Sequence, residues 1–258
     1  MIARLMGDRR TQSVIRRIDR PEPLLLATAM AAVAAAGWLL SSFWLAVAIA
    51  SELAIGGLGA VAVIGPARIG LGYARYTTLA LAGVALTLFG RLLPAGSAIL
   101  FTPLVAVVLW STIYLELRLM RGPGSRTLLD LLLTGVLFAG GAGIFHLFGP
   151  LSWPPPLVLV AILALALALR GGEARGSTGA QAVGQALLHV LAVAQVGVAV
   201  TLLTLPGLVG PAIIALAFYV WGGAADALQN GASGRTVVIE FGSLALLGLL
   251  VALLLHAG

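Results

Sequence analysis

The sequence contains no cysteine and no lysine, and these two absences exclude several kinds of site. Without cysteine there is no disulfide, no thiolate metal site, no Fe–S cluster and no cysteine nucleophile. Without lysine there is no retinal Schiff base, no pyridoxal phosphate (PLP) Schiff base and no P-loop lysine. All 15 basic residues are therefore arginine. Together with abundant Ala, Leu and Gly, this composition is typical of a GC-rich bacterial genome.

Charged residues are also scarce. Only 9% of the 258 residues are charged and 60% are hydrophobic, whereas a soluble domain carries about 25% charged residues. Apolar runs of about 18 or more residues recur from Leu24 onward, which is typical of membrane spans. The sequence therefore predicts an all-α, polytopic integral membrane helical bundle. It has a single transmembrane domain at 24–258 and a basic N-terminal segment at 1–23.

About nine transmembrane helices are predicted, separated by turns rich in glycine and proline. A continuous helix from 24 to 64 would be too long for one span, so Ser41 and Ser42 are expected to form a turn. The main alternative merges two of the helices into a re-entrant hairpin. The predicted bounds are 24–40, 43–64, 76–93, 97–119, 127–148, 154–170, 181–205, 209–229 and 236–256.

The arginines test this helix count independently, because cytoplasmic loops of membrane proteins carry an excess of basic residues. With nine spans, Arg91 alone falls on one side and every other arginine on the opposite side. The N-terminus is therefore predicted to be cytoplasmic and the C-terminus outside, in a bacterial inner membrane. This distribution also explains the net charge of +6 without a nucleic-acid partner.

The segment before the first span has a pattern of its own. Thr11, Val14, Ile15 and Ile18 share one helical face, with arginines around it. A short amphipathic helix on the inner leaflet is expected, and a disordered basic tail is the alternative. Leu24 onward is interpreted as a retained first span and not as a cleaved signal peptide.

Ionisable residues near the predicted cytoplasmic helix ends form one group of candidates. Arg126 and Asp130 are four residues apart, a favourable spacing for a pair on one helix. We expect a ring of inner-face ion pairs that locks the helix ends; a cytoplasmic-facing ion or headgroup site is the alternative. The residues are Glu116, Arg118, Arg126, Asp130, Asp226, Arg235 and Glu240.

Glu52 differs from these because it is predicted to lie near the bilayer midplane, with no basic residue at that depth. An unpaired carboxylate there should be protonated, or hydrogen-bonded to a polar partner. By depth, His189, Gln195 and Tyr219 are the candidate partners, and Gln195 or Tyr219 is the expected acceptor. The cluster either ties helices together or binds a proton, a cation or another ligand.

Histidines and glycines give two weaker signals. His146 and His189 lie at depths too different to clamp one haem together, but either alone is a candidate ligand for a haem or chlorin metal. Small residues let helix backbones approach closely, so two groups of glycines predict tight packing, or else a groove for a lipid, quinone or pigment. These groups are Gly56, Gly57 and Gly59, and Gly140, Gly141 and Gly143.

No catalytic signature is present: there is no nucleophile elbow, no His-Glu-x-x-His motif and no paired aspartate motif. The leading hypothesis is a non-catalytic integral membrane subunit that packs against other membrane proteins, lipids or pigments. One alternative is a small-solute or proton-coupled ion transporter that uses Glu52. Another is an intramembrane lipid-modifying enzyme.

Overall fold

A computed structural model describes residues 21–65, 72–119, 124–149, 154–203, 205 and 207–257. This part of the chain forms nine α-helices and no strand, which confirms the predicted all-α bundle. The amphipathic helix predicted around 11–18 lies outside the described residues. The helices are α1 (Glu22–Leu39), α2 (Ser42–Ile64), α3 (Thr77–Gly90), α4 (Ala98–Arg118), α5 (Gly124–Phe148), α6 (Pro155–Ala174), α7 (Gly179–Leu202), α8 (Val209–Gln229) and α9 (Gly234–Ala257).

Eight of the described helices are long and apolar enough to cross a membrane, so the chain is a multi-pass membrane protein. Helix α3 is the exception. It has 14 residues, or about 21 Å, against a hydrocarbon core of about 30 Å. Nine of its residues are buried, because it packs between α1, α2, α4 and α5. A helix enclosed by protein does not need to match the thickness of the lipid.

The helices form two groups of four with one helix outside them. In the first group, α1, α2 and α4 surround α3. In the second, α5, α6, α7 and α8 form a ring, each packing against the next, and α5 closes the ring against α8. The contact between α3 and α5 joins the groups. Helix α9 packs extensively against α8 alone among the described helices.

Glycines allow the closest of these contacts. A Cβ on Gly56 would lie 2.6 Å from the Cα of Ala80, and a Cβ on Gly143 would lie 2.5 Å from the carbonyl carbon of Leu88. No real side chain tolerates such distances, so the predicted tight packing is confirmed at these positions. It is wrong for Gly57, where an added Cβ would meet nothing within 4 Å.

Polar contacts at the helix ends show how the chain runs. Arg91, after α3, donates a hydrogen bond of 2.7 Å to the carbonyl of Leu40 in the α1–α2 turn. At the opposite end of the bundle, the backbone N–H of Ala74, before α3, donates to Glu173 in α6 over 3.0 Å. Helix α3, together with the residues directly before and after it, therefore connects the two ends. We call them the Arg91 end and the arginine-rich end; the latter holds Arg75, Arg118, Arg126, Arg170, Arg175 and Arg235. Which end is cytoplasmic stays a prediction.

One helix end departs from the sequence prediction in a way that matters for function. The pair Gly171 and Gly172 was predicted to end α6 at Arg170, but the helix continues to Ala174. Both glycines are buried, and tertiary packing outweighs their low intrinsic helix propensity. This extra turn carries Glu173 to α3 and places Arg175 against α5 and α8.

Candidate functional site: a cavity between α8 and α9

The largest described group of ionisable side chains faces a cavity of about 810 Å³ at the arginine-rich end. Helices α5, α7, α8 and α9 form its walls, together with the residue that follows α6. We call it the α8–α9 cavity. Its ionisable and phenolic residues are Asp130, Arg175, His189, Tyr219, Asp226 and Glu240. Along α9 the lining becomes apolar, through Phe241, Leu244, Leu246, Leu247 and Leu250.

Arg175 is shared between two aspartates in this cavity. Its Nη2 lies 3.5 Å from Oδ1 of Asp130, and its Nε lies 3.6 Å from Oδ1 of Asp226. The predicted partner Arg126 is exposed and adds a weaker attraction to Asp130, while the nearer cation is Arg175, the residue that follows α6. The cause is the extra turn of α6.

His189 is held against α8. Its Nε2 lies 2.9 Å from the backbone carbonyl of Phe218, and its ring stacks on the Phe218 ring with centroids 4.3 Å apart. A carbonyl only accepts, so Nε2 carries the proton in this contact. Gly222 leaves room for the arrangement, because a Cβ there would lie 3.2 Å from Nη2 of Arg175 and 3.3 Å from Cε1 of His189. His189 and Arg175 therefore both approach the backbone of α8 at Gly222, which has no side chain.

Two hydroxyl groups in the lining donate to their own helices. Thr134 donates to the carbonyl of Asp130 over 2.7 Å, and Ser243 donates to the carbonyl of Glu240 over 2.9 Å. Each hydroxyl has one proton to donate, so only oxygen lone pairs remain for other partners. The donors that remain in the lining are the guanidinium of Arg175, whose Nε has no hydrogen-bond partner among the described residues, and the hydroxyls of Thr127 and Tyr219.

Glu52 is not part of this cavity, and the predicted four-residue cluster does not form. Its carboxyl group is fully buried in the contact of α2 with α1 and α3, and neither oxygen has a hydrogen-bond partner among the described residues. A Cβ on Gly83 of α3 would overlap its Oε2. Gln195 is exposed on α7, while His189 and Tyr219 line the α8–α9 cavity. The predicted hydrogen bond from Glu52 to Gln195 or Tyr219 is therefore wrong.

The remaining residues predicted for the inner-face ring behave differently from one another. Glu116 forms a buried two-pronged pair with Arg170, with Nε–Oε1 2.9 Å and Nη2–Oε2 2.6 Å. Arg118 instead donates to the hydroxyl of Tyr114 on its own helix over 3.2 Å. Arg235 and Glu240 are exposed and form no ion pair within the described ranges.

Sequence reasoning missed Arg170 and Arg175, which supply the cation in each of the three ion pairs of the described residues. Both were used only as markers of topology. Their signal was the position of a short, basic segment directly after an apolar span. That segment is also where carboxylates from neighbouring helix ends need partners.

A second cavity of about 540 Å³ lies at the Arg91 end, between the end of α5 and the start of α8. It is lined by exposed His146 and by apolar residues such as Phe145 and Pro211. His146 and His189 therefore line separate cavities, and His189 lies near the middle of α7. The described residues contain no group of three or more side chains arranged to hold a metal ion. Ligation of a pigment or haem metal by either histidine stays a prediction.

No protein-family model matches the chain, and comparison with curated proteins and with solved structures finds no similar protein or fold. The function must therefore be argued from the geometry.

Proposed function

We propose that this chain is a non-catalytic multi-pass membrane protein that holds a membrane amphiphile in the α8–α9 cavity. The observation that carries the proposal is the two-part lining. Charged side chains gather at the arginine-rich end, and leucines continue along α9. Glu240 and Leu250 lie ten residues apart on that helix, or about 15 Å in depth. A polar head and an apolar chain fit such a cavity in one orientation.

The packing of α9 supports entry from the lipid. This helix leans on α8 and makes no comparable contact with α5, which forms the facing wall. Leu246 and Leu247 line the cavity and are nevertheless 59% and 61% exposed. Exposed lining residues mean that the cavity opens sideways, between α5 and α9. In a membrane this opening faces acyl chains.

The other functions considered for the chain find less support. A proton-coupled carrier that uses Glu52 needs a hydrated path to this residue. The carboxyl group of Glu52 is instead fully buried, with no hydrogen-bond partner among the described residues. The location in a bacterial inner membrane, with the N-terminus inside, is proposed on the distribution of arginines. Membrane lipids are the proposed partners; association with other membrane subunits stays a prediction.

Retention of an amphiphile tests the proposal. The parent protein, purified in a mild maltoside detergent, is expected to carry bound amphiphile detectable by extraction and mass spectrometry. The variant Ser243→Trp fills the cavity and should lose it. Val238→Trp is the matched control, because Val238 lies on α9, is 72% exposed and does not line the cavity. A parent with no bound amphiphile, or equal loss in both variants, would overturn the proposal.

A further inference from the structure

The hydrogen-bonding groups of the α8–α9 cavity are unbalanced. Three carboxylates line it, those of Asp130, Asp226 and Glu240, against one guanidinium, that of Arg175, which the two aspartates already share. Arg126 and Arg235 are exposed and are not part of the lining, although Arg126 is close enough to attract Asp130. The cavity therefore carries an excess of negative charge from its own side chains.

Three of the neutral groups add further acceptors, and the hydroxyl of Tyr219 can both donate and accept. His189 is 7% exposed, and its Nε2 proton goes to the carbonyl of Phe218. Nδ1 has no hydrogen-bond partner among the described residues and, in this tautomer, accepts only. The hydroxyl protons of Thr134 and Ser243 are likewise directed to carbonyls of their own helices. A ligand that enters meets lone pairs from α5, α7, α8 and α9.

We propose that the cavity selects amphiphiles whose headgroup carries a primary ammonium. This inference rests on the proposed function and adds the chemistry of its ligand. An ammonium group supplies three N–H donors and one positive charge, which matches the acceptors and the excess negative charge. Hydrogen bonds between charged partners are about twice as strong as neutral ones. A head that carries a phosphate or carboxylate and no ammonium would add acceptors and repel the aspartates.

Because the chain has no cysteine, one introduced thiol gives a specific reporter. Ser243→Cys is placed in phosphatidylcholine nanodiscs, and its reaction rate with N-ethylmaleimide is followed by mass spectrometry. The competitors share a twelve-carbon chain: dodecylamine, dodecyltrimethylammonium, dodecanol and dodecanoate. Dodecylamine should protect the thiol at about tenfold lower concentration than dodecanol. Dodecanoate should protect least. Val238→Cys, outside the cavity, should show no selective protection.

Two comparisons separate the possible failures. Equal protection by dodecylamine and dodecanol overturns the headgroup inference and leaves the proposed function standing. Equal protection by dodecylamine and dodecyltrimethylammonium also overturns it, because the quaternary head has the charge but no N–H donor. No protection by any of the four compounds contradicts the proposed function itself.

Variants of the carboxylates complete the test. Glu240→Gln changes an exposed side chain that forms no ion pair among the described residues, so it should fold normally. Glu240→Gln and Asp226→Asn are each combined with Ser243→Cys. Each should reduce the preference for dodecylamine over dodecanol by about tenfold. Glu22→Gln, exposed at the start of α1, is the matched control and should leave it unchanged. An unchanged preference in both cavity variants would overturn the inference.

The same assay distinguishes two sources of the ammonium group. Lysophosphatidylethanolamine carries it beyond a phosphate, whereas a single-chain amine carries it directly on the alkyl chain. Protection by both at similar concentrations assigns a phospholipid headgroup, and protection by dodecylamine alone assigns a free long-chain amine. Protection by lysophosphatidylglycerol equal to that by dodecylamine would contradict ammonium selection.

Discussion

Glu52 in the first group of helices and the two aspartates in the second are held in opposite ways. In the first, α1, α2 and α3 close around Glu52 and leave its carboxyl group fully buried without a hydrogen-bond partner among the described residues. In the second, Asp130 and Asp226 share Arg175 beside an open cavity, with side chains 36% and 40% exposed. The comparison shows that burial is decided by the room that neighbouring helices leave.

Small residues explain the dry half. Gly56 and Gly83 let α2 approach α3 so closely that the carboxyl group of Glu52 is enclosed. Beside the second group, α9 approaches α8 but not α5. The cavity occupies the space between α5 and α9, where the two helices do not pack against each other.

The largest loss of stability is expected at the ion pair that joins the two groups of helices. Glu116 of α4 and Arg170 of α6 form a buried pair. Arg170→Leu leaves the carboxylate buried and unpaired, so it should lower the free energy of unfolding by about 3–5 kcal/mol. Chemical denaturation in micelles measures the loss. Glu116→Leu combined with Arg170→Leu should recover most of it, because neither charge of this pair remains. A double variant less stable than Arg170→Leu would contradict this reading of the pair.

A smaller loss is expected from widening the close contact in the first half. Gly56→Ala places a Cβ against the backbone of Ala80, which cannot yield as a flexible side chain can. The expected destabilisation is about 1–3 kcal/mol. Gly57→Ala, the adjacent control, meets nothing and should be neutral or slightly stabilising. Equal melting temperatures for the two variants would mean that α2 and α3 are not in close contact.

For Glu52 we expect a substitution that raises the stability of the protein, in contrast to the two losses above. Since its oxygens have no partner among the described residues, Glu52→Met should stabilise the protein by about 1–2 kcal/mol by removing an unsatisfied buried polar group. Glu52→Gln keeps that cost and should stay close to the parent. Denaturation of the three proteins under one set of conditions decides the matter. If Glu52→Met were the least stable, Glu52 would have a polar partner.

The smallest effect concerns which arginine serves Asp130. Double-mutant cycles with Asp130→Asn should give a coupling energy of up to about 1 kcal/mol with Arg175→Gln and a smaller one with Arg126→Gln. The distances and the partial exposure of the pair set this low ceiling. A larger coupling with Arg126 would restore the pair expected from the four-residue spacing.

Much of the fold was predictable because lipid imposes simple rules. Span length, turn residues and the one-sided arginines were enough to predict nine helices and their order. The errors fall where protein replaces lipid as the surroundings. Helix α3 ends at Gly90 and not near Leu93 because it is enclosed, and α6 passes through Gly171 because that residue is packed.

The site was much less predictable. The depth of a residue in the membrane can be counted along the sequence, but the sequence does not show which neighbouring helix its side chain faces. His189, Tyr219, Asp130, Asp226 and Glu240 were all candidates, and the structure brings these five together around one cavity. The sequence predicts two separate sites for them and groups His189 and Tyr219 with Glu52, which packs elsewhere. Only the order of helices around the bundle settles which faces meet.

The peripheral position of α9 also bears on how the protein is made. Chains are synthesised from the N-terminus, and α9 is the last described helix to leave the ribosome. The contacts among α1 to α8 do not involve α9, yet one wall of the cavity comes from α9. A nascent chain halted after α8 would therefore lack that wall. Ligand binding during synthesis would report that α9 has been inserted.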